Sequence, residues 1–321
     1  MHQAHADRVL ASVTSGQAAA RSKIAASWQR CHDRHRLDPA AACPPARLER
    51  RRLAERREAE GRLLHLAQPR LGELHRMIGH SGRAIFLTDR DGLVLQEVLR
   101  PADTDAFERA GLREGADWSE AAQGTNGIGT CLAERRALII HRDQHYLPRN
   151  TSMSCIDAPI FGAAGELLGA LDISSARADE SDSFNPLIAA MAAQIAAQIG
   201  SDLFRDRFAG HRILLAGDGA DSAALLAVDR DDIVTGATRA ARRLLAMAED
   251  GTLAPRPLRD LTGEASEGLD GAERAAVIRA LTRAQGNVSR AARDLGLGRA
   301  TLYRRMKRLG IGETGPRVFH A

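Results

Sequence analysis

Apolar positions in this chain fall into two rhythms. Near the C-terminus the spacing is helical: Val277, Ile278 and Leu281, then Val288, Ala291, Ala292 and Leu295, then Leu302, Met306 and Leu309. These stripes predict three short helices. Gly286–Asn287 breaks the first from the second, and Gly296–Leu297–Gly298 is a tight turn of the length that joins a helix-turn-helix. In the middle of the chain the apolar runs are shorter and bounded by turn signals: Ala84–Asp89, Leu93–Leu99, Ala137–His141, Cys155–Phe161 and Glu166–Ser174. Arg90–Asp91–Gly92 closes the first two into a hairpin, and Gly162–Ala163–Ala164–Gly165 joins the last two. A long helix, Asn185–Phe204, follows with Leu187, Ile188, Met191, Ile195, Ile199 and Leu203 along one side. The pattern predicts an α+β class: an antiparallel sheet flanked by helices and able to enclose a pocket, then a three-helix unit.

The flanks are less regular. Arg21 to about Leu74 reads as helices, with Ile24, Trp28 and Cys31 on one face and a stop at Leu37–Asp38–Pro39. Arg47–Gly61 is charged, with few apolar positions, and reads as a surface or signalling helix rather than a core element. From Ala223 a second short unit is expected: strand Leu225–Asp229, turn Asp231–Asp232, return strand Ile233–Thr235 and helix Ala237–Ala248. Thr262–Gly271, after Pro255 and Pro257, reads as a linker. The expected boundaries are a helical segment at 1–61, the sheet domain at 62–208, the short unit at 209–261, the linker at 262–271, the three-helix domain at 272–314 and a tail at 315–321.

Charge sharpens this picture at one end. Between Glu273 and Gly310 ten basic residues face two acidic ones, a net +8, whereas the whole 321-residue chain is only +4. Such a concentration points to nucleic acid. Arg299, Thr301, Tyr303, Arg304, Arg305, Lys307 and Arg308 on the third helix, with Asn287, Ser289 and Arg290 at the start of the second, form the expected DNA-binding set. The plainer alternative is a solvated basic face on a helical cap. The four cysteines, Cys31, Cys43, Cys131 and Cys155, have no framework spacing. No apolar run reaches the roughly 20 residues of a spanning helix, and no secretory core is present. A cytoplasmic chain with no membrane partner is expected.

Gly124–Thr125–Asn126–Gly127–Ile128–Gly129–Thr130 looks superficially like a dinucleotide loop, but lacks the G-x-G-x-x-G spacing and a surrounding βαβ unit. Its glycines are expected to turn the chain into a short helix at Ile128–Ala133 beside a pocket. Trp118, Glu120, Asn126, Thr130, His145 and Cys155 are the candidate ligand-binding residues. Cys131, His141, His145 and Cys155 could supply four metal ligands, yet their spacing is looser than any zinc motif and core cysteines are the better reading. His145 and Cys155 also have the residue types of a base and a nucleophile, without a third orienting group. No metal, cofactor or catalytic residue is expected, and the chain is not read as an enzyme.

GNVSRAARDLGLGRATLYRRMKRLG, from Gly286, resembles the Fis-type DNA-binding domain that closes many bacterial enhancer-binding regulators. Gly298 departs from the usual cap serine, although glycine is itself an acceptable N-cap. Asp117–Trp118–Ser119–Glu120, the Gly124–Thr130 stretch and Ala158–Pro159–Ile160 resemble the GAF sensory domain of acetoin-catabolism-type sigma-54 activators, and Ser27–Cys31 with Leu37–Pro39 resembles their N-terminal segment. AVDRDDIVTGATRAARRLL resembles the start of a PAS-type domain. Such regulators normally carry an AAA+ ATPase, but the only lysines are Lys23 and Lys307, preceded by Ser22 and Met306, so no Walker A G-K-[ST] exists. The resemblance implies a one-component transcriptional regulator without ATPase activity, sensing a small effector and binding double-stranded DNA as a homodimer. RNA polymerase or another regulator is a further implied partner. The alternative is a sensory module that modulates a full-length activator by dimerisation without binding DNA.

Overall fold

The computed structural model describes residues 2–15, 17–41, 44–177, 182–217, 223–262, 268–284 and 286–311. Cys43, the expected tail at 315–321 and residues 263–267 of the expected linker lie outside the described residues. The chain divides into two units, residues 1–255 and 256–321.

Three helices open the first unit: α1 (His2–Thr14), α2 (Ala18–Arg21) and α3 (Lys23–Asp33). The sequence pattern missed α1, because only His5, Ala6 and Val9 on it are buried, too few to make a periodic signal. Ser22 separates α2 from α3, its hydroxyl capping α3 by accepting from the Ala25 amide. Trp28 and Cys31 are the buried anchors of α3. The charged helix α4 (Arg50–Ala59) buries nothing, as its composition requires. By contrast α5 (Gly61–Ile78) inserts Leu63, Ala67, Leu71, Leu74 and Ile78 into the core at helical spacing.

Five strands follow: β1 (Arg83–Thr88), β2 (Val94–Val98), β3 (Leu138–His141), β4 (Ser154–Phe161) and β5 (Leu167–Ser175). They lie in the order β2-β1-β5-β4-β3, each neighbouring pair antiparallel. Between β2 and β3 come α6 (Thr104–Ala110), α7 (Glu120–Gln123) and α8 (Gly127–Glu134). Because side chains alternate along a strand, the sheet has two apolar faces. Ile85, Leu87, Ile156, Ile160, Leu171 and Ile173 pack on α5 and on α9 (Asn185–Arg207). Ala84, Phe86, Cys155 and Ala170 pack instead on Phe107, Trp118 and α8.

With a mean hydropathy of 1.4, α9 is long and apolar enough to cross a membrane, the single such helix among the described residues and a departure from the sequence reading. In this fold its stripe of Ile188, Ala192, Ile195, Ala196 and Ile199 is spent on the sheet. After it come β6 (Arg212–Leu215), β7 (Leu225–Val228), β8 (Ile233–Ala237) and α10 (Arg239–Leu244), with β7 paired antiparallel to both β6 and β8. Phe204 of α9 and Ala163 share a core with Leu225 and Ala227, so this short unit rests on the sheet domain. The expected helix Ala237–Ala248 is shorter. The buried Arg242 guanidinium donates to the carbonyls of Ala237, Ala248 and Gly251, which folds the chain back after Leu244.

The second unit contains α11 (Leu258–Thr262), α12 (Gly268–Arg283), α13 (Val288–Asp294) and α14 (Arg299–Arg308). Helix α12 begins inside the stretch expected to be linker. Val277, Ala280, Leu281, Ala291, Ala292, Leu302 and Met306 form the core of the unit, with Ala291 and Ala292 contributed by α13. Asn287 caps α13 through its side chain, whereas Gly298 occupies the cap position of α14 with no side-chain bond.

Both tryptophans, Trp28 and Trp118, lie in the first unit. Leu302→Ala should therefore destabilise the C-terminal helices by about 2–5 kcal/mol, seen by circular dichroism, while leaving the tryptophan-fluorescence unfolding transition in place.

Candidate functional site

The inner face of the sheet domain is closed by α3 through one carboxylate. Glu120, 4% exposed, starts α7, which Ser119 caps by accepting from the Ala122 amide. Its Oε1 accepts from Ser27 Oγ at 2.6 Å, Thr130 Oγ1 at 3.1 Å and Arg30 Nη2 at 2.8 Å, and its Oε2 accepts from Arg30 Nε. A buried charge persists only when paired and hydrogen-bonded, and here both conditions are met by two partners from α3 and one from α8. The contact raises the Arg30 guanidinium pKa, chiefly through its hydrogen bonds to Glu120. Three neighbours complete the seal: Trp28 Nε1 donates to the Gln144 carbonyl, Tyr146 Oη to the Leu37 carbonyl, and His5 Nε2 to the His145 carbonyl.

The Gly124–Thr130 stretch makes a capped turn into α8. Asn126 Oδ1 accepts from the Gly129 amide, and its Nδ2 donates to the Gly124 carbonyl. Two glycines are there for close approach. A Cβ on Gly129 would stand 2.3 Å from the Glu120 nitrogen, and one on Gly127 would stand 1.9 Å from Asp157 Oδ2.

All six candidate ligand-binding residues are buried, but the structure sorts them into different tasks. Trp118 and Cys155 belong to the apolar layer under α8. Glu120 and Thr130 form the polar hub with α3, and Asn126 is a helix cap. His145 lies behind Cys155, its Nδ1 donating to the Arg142 carbonyl and its Nε2 3.5 Å from Cys155 Sγ.

That last pair has the spacing of a base and a thiol and the opposite electrostatics. Burial pushes the Cys155 thiol well above its ordinary value and drives His145 down to about 4. Both are neutral at physiological pH, whereas a thiolate nucleophile needs the reverse shifts. Burial also raises Cys131 well above its ordinary value and Cys31 to about 12. His141 turns away to Ser154 Oγ at 3.0 Å, and no three His, Cys, Asp or Glu side chains converge as a metal site among the described residues.

Sequence reasoning missed two residues in this interior. Asp157 on β4 and Asp172 on β5 stand opposite each other in register, both completely buried on the Cys155 face. Asp172 Oδ1 accepts from Ser174 Oγ, while Asp172 Oδ2 and both Asp157 oxygens meet no donor other than a proton that the two carboxyls share. Burial, then the charge of Asp172, raises Asp157 well above the carboxylate range. Burial lifts Asp172 to about 7, partly offset by Ser174, Asp157 and Arg83. The pair therefore holds a proton in the folded state. The available signal was an aspartate interrupting each of two apolar runs at alternating register.

In the second unit α14 presents its charge unevenly. Leu302 and Met306 point inward; with about 100° between successive side chains Arg304 and Lys307 lie on the outward arc, Tyr303 stands at its edge and Arg299 projects from the first turn, all four exposed. The Arg299 guanidinium lies 5.7 Å from the Tyr303 ring centroid. Arg305 and Arg308 turn to α12 and pair with Glu273, Arg305 at 2.9 Å. Thr301 is half-buried; Asn287, Ser289 and Arg290 are exposed at the start of α13, the Asn287 side chain accepting from the Arg290 amide.

Two outcomes follow from the interior. Glu120→Ala should lower the stability of the first unit by about 3 kcal/mol, the scale for breaking a buried pair, and Glu120→Gln by less, since Ser27 and Thr130 keep an acceptor. Urea unfolding followed by tryptophan fluorescence measures both. For the aspartates, the unfolded chain releases protons near pH 3.9, whereas in the folded state Asp172 keeps its proton to about pH 7 and Asp157 is raised well above the carboxylate range. Stability attributable to the pair therefore falls as pH rises through that window. Asp157→Asn should flatten the profile and leave the protein more stable than its parent at about pH 8, read from urea midpoints across the range.

Comparison with known proteins agrees with this division. Residues 62–203 match the GAF domain, and residues 269–309 match the bacterial regulatory protein, Fis family. The acetoin catabolism regulatory protein of Cupriavidus necator is 33% identical over 149 residues, 46% of this chain and 22% of that protein. The acetoin dehydrogenase operon transcriptional activator AcoR of Bacillus subtilis is 33% identical over 158 residues, 49% of this chain and 26% of its own length. The propane 2-monooxygenase operon transcriptional activator MimR of Mycolicibacterium smegmatis is 31% identical over 183 residues, 56% of this chain and 29% of its own. The matched region thus spans about a quarter of each relative. Among solved structures, the Escherichia coli DhaR(N)–DhaL complex contains a chain of similar fold, TM-score 0.53 at 17% identity, covering 74% of this chain and 81% of that one. Residues 62–203 thus carry a GAF domain, and residues 269–309 a helix-turn-helix of the bacterial regulatory protein, Fis family.

Proposed function

We propose that this chain binds a specific DNA operator as a homodimer through α13 and α14, and that a small effector entering the GAF interior biases which of two arrangements of the dimer is populated. The observation that carries the DNA reading is the exposed set of side chains on α14. Its apolar side is spent on the unit's own core and two of its arginines on Glu273, which leaves Arg299, Tyr303, Arg304 and Lys307 exposed. Arg and Lys supply phosphate affinity and bidentate base contacts. Two such helices in a dimer fit half-sites about one helical turn apart. The four residues are proposed as the principal DNA contacts; Arg290, Ser289, Asn287 and Thr301 flank them, and Arg305 and Arg308 act mainly as braces.

For the sensor, Trp118, Cys155, His145, Asp157 and Asp172 supply an apolar wall with a few polar atoms, and the α3 seal over Glu120 is the part that must loosen to admit a ligand. An effector acts only through its differential affinity for the two states. The regulatory relatives support binding rather than catalysis, as do the neutral thiols of the interior. Only residues 204–268 separate the two family regions, too few for an ATPase domain, so the chain is proposed to act without ATP hydrolysis, on RNA polymerase directly or through another regulator in the cytoplasm.

A second reading, in which the C-terminal helices only dimerise, is separated by salt: DNA affinity falls steeply with ionic strength through counterion release, and an apolar contact does not. Arg304→Ala should weaken binding to the chain's own upstream intergenic DNA about tenfold, within the 1–3 kcal/mol of a base or charged contact. Arg305→Ala should change it less than threefold, about 0.65 kcal/mol. Fluorescence anisotropy at matched salt measures both. Equal affinity of parent and Arg304→Ala would remove α14 as the reading helix.

A further inference from the structure

Outside the sealed interior, a groove of about 340 Å3 runs along the seam between α9, the end of β4 and α10. Its floor is made by Ala193, Ala197 and Gly200 on one side of α9. These side chains are too small to fill the trough. At Gly200 a Cβ would stand 2.8 Å from the Phe161 carbonyl oxygen, so α9 and β4 approach closely and the floor stays shallow. The Phe161 ring forms an apolar wall.

The rim is cationic and incompletely neutralised. Arg135, Arg136, Arg239 and Arg243 all line the groove. Arg135 pairs with Asp250 at 2.7 Å, Arg136 with Glu134, and Arg239 with Glu249. Arg243 has no carboxylate partner among the described residues, which leaves four guanidiniums against three carboxylates. The Arg239 guanidinium stacks over Phe161, 4.4 Å from the ring centroid to Cζ, and that contact fixes its plane at the edge of the apolar floor. Its Nη1 is buried and has no acceptor.

We propose that this groove binds a small amphipathic organic anion, a monocarboxylate with a short aliphatic body. The carboxylate pairs with the exposed guanidinium of Arg243, and the body lies in the trough beside Phe161 and the Arg239 plane stacked on it. Guanidinium presents paired donors that match a carboxylate. One surplus positive charge suits a monoanion better than a doubly charged phosphate, and the floor offers apolar contact that an inorganic ion cannot use. The volume is at the small end of ligand pockets, roughly 300–1,000 Å3, which limits the body to a few carbons. The site is separate from both the GAF interior and α14, so it stands whether or not the DNA reading does.

The test uses the full chain and titrates hexanoate, hexanamide and inorganic phosphate by isothermal calorimetry. Saturable binding of hexanoate is expected, with hexanamide and phosphate at least about tenfold weaker. Arg243→Gln, an exposed position, should weaken hexanoate about fivefold or more, and Ala197→Leu, which fills the trough, should abolish binding with an unchanged circular dichroism spectrum. If Ala197→Leu alters the fold, Ala193→Val provides the same obstruction with a smaller group. No saturation by hexanoate at about 20 mM, hexanamide binding equal to hexanoate, or unchanged affinity in Arg243→Gln or in a folded trough variant would each overturn the proposal.

Discussion

The ion pair between Arg30 and Glu120 decides what the rest of the first unit can be. A carboxylate at 4% exposure is tolerable only with its charge met and both oxygens occupied, and the partners that do this come from segments 90 or more residues apart. Once Ser27 and Arg30 are committed to Glu120, α3 lies across the loop that leads into α8. Trp28, Tyr146 and His5 then find backbone acceptors in the same seam. The N-terminal helices are thereby part of the sensor domain's interior wall rather than an appendage.

The opposite situation prevails a few residues away. Asp157 and Asp172 are buried as deeply as Glu120, yet among the described residues no arginine forms an ion pair with Asp157, and burial keeps a proton on the pair. One carboxylate in this domain therefore holds structure together as an anion, and another pair lies beneath α8 with a proton retained. Gly127 makes that arrangement possible, since any side chain there would collide with Asp157. The C-terminal helices need none of this: their core is small and apolar, and Glu273 merely removes two arginines from the exposed set.

Much of this was legible in the residues. The five strands and the long helix announced themselves by short apolar runs, Asp-Gly and Gly-rich turns and a helical stripe, and the three C-terminal helices by glycine breaks and the paired alanines. Legibility failed where information is not local. Glu120 reads as a pocket acid because its partners, Ser27 and Arg30, are distant in sequence. Asp157 and Asp172 go unnoticed because a single aspartate inside an apolar run says nothing about the strand that will face it. Arg305 and Arg308 look equivalent to Arg304 in composition, and only the packing of α14 on α12 separates them. Helix α1 contributes two buried apolar residues, and β6 is too short to carry a pattern.

Selection of bound duplexes from a random pool by the purified chain tests the central claim most directly, because it asks for sequence-specific recognition without assuming an operator. Enrichment of an inverted repeat with half-sites about one helical turn apart, lost when Arg299 and Arg304 are both replaced by alanine, is the expected result. A pool that stays random, or a motif that survives those two substitutions, would contradict the assignment of α14 as the element that reads DNA.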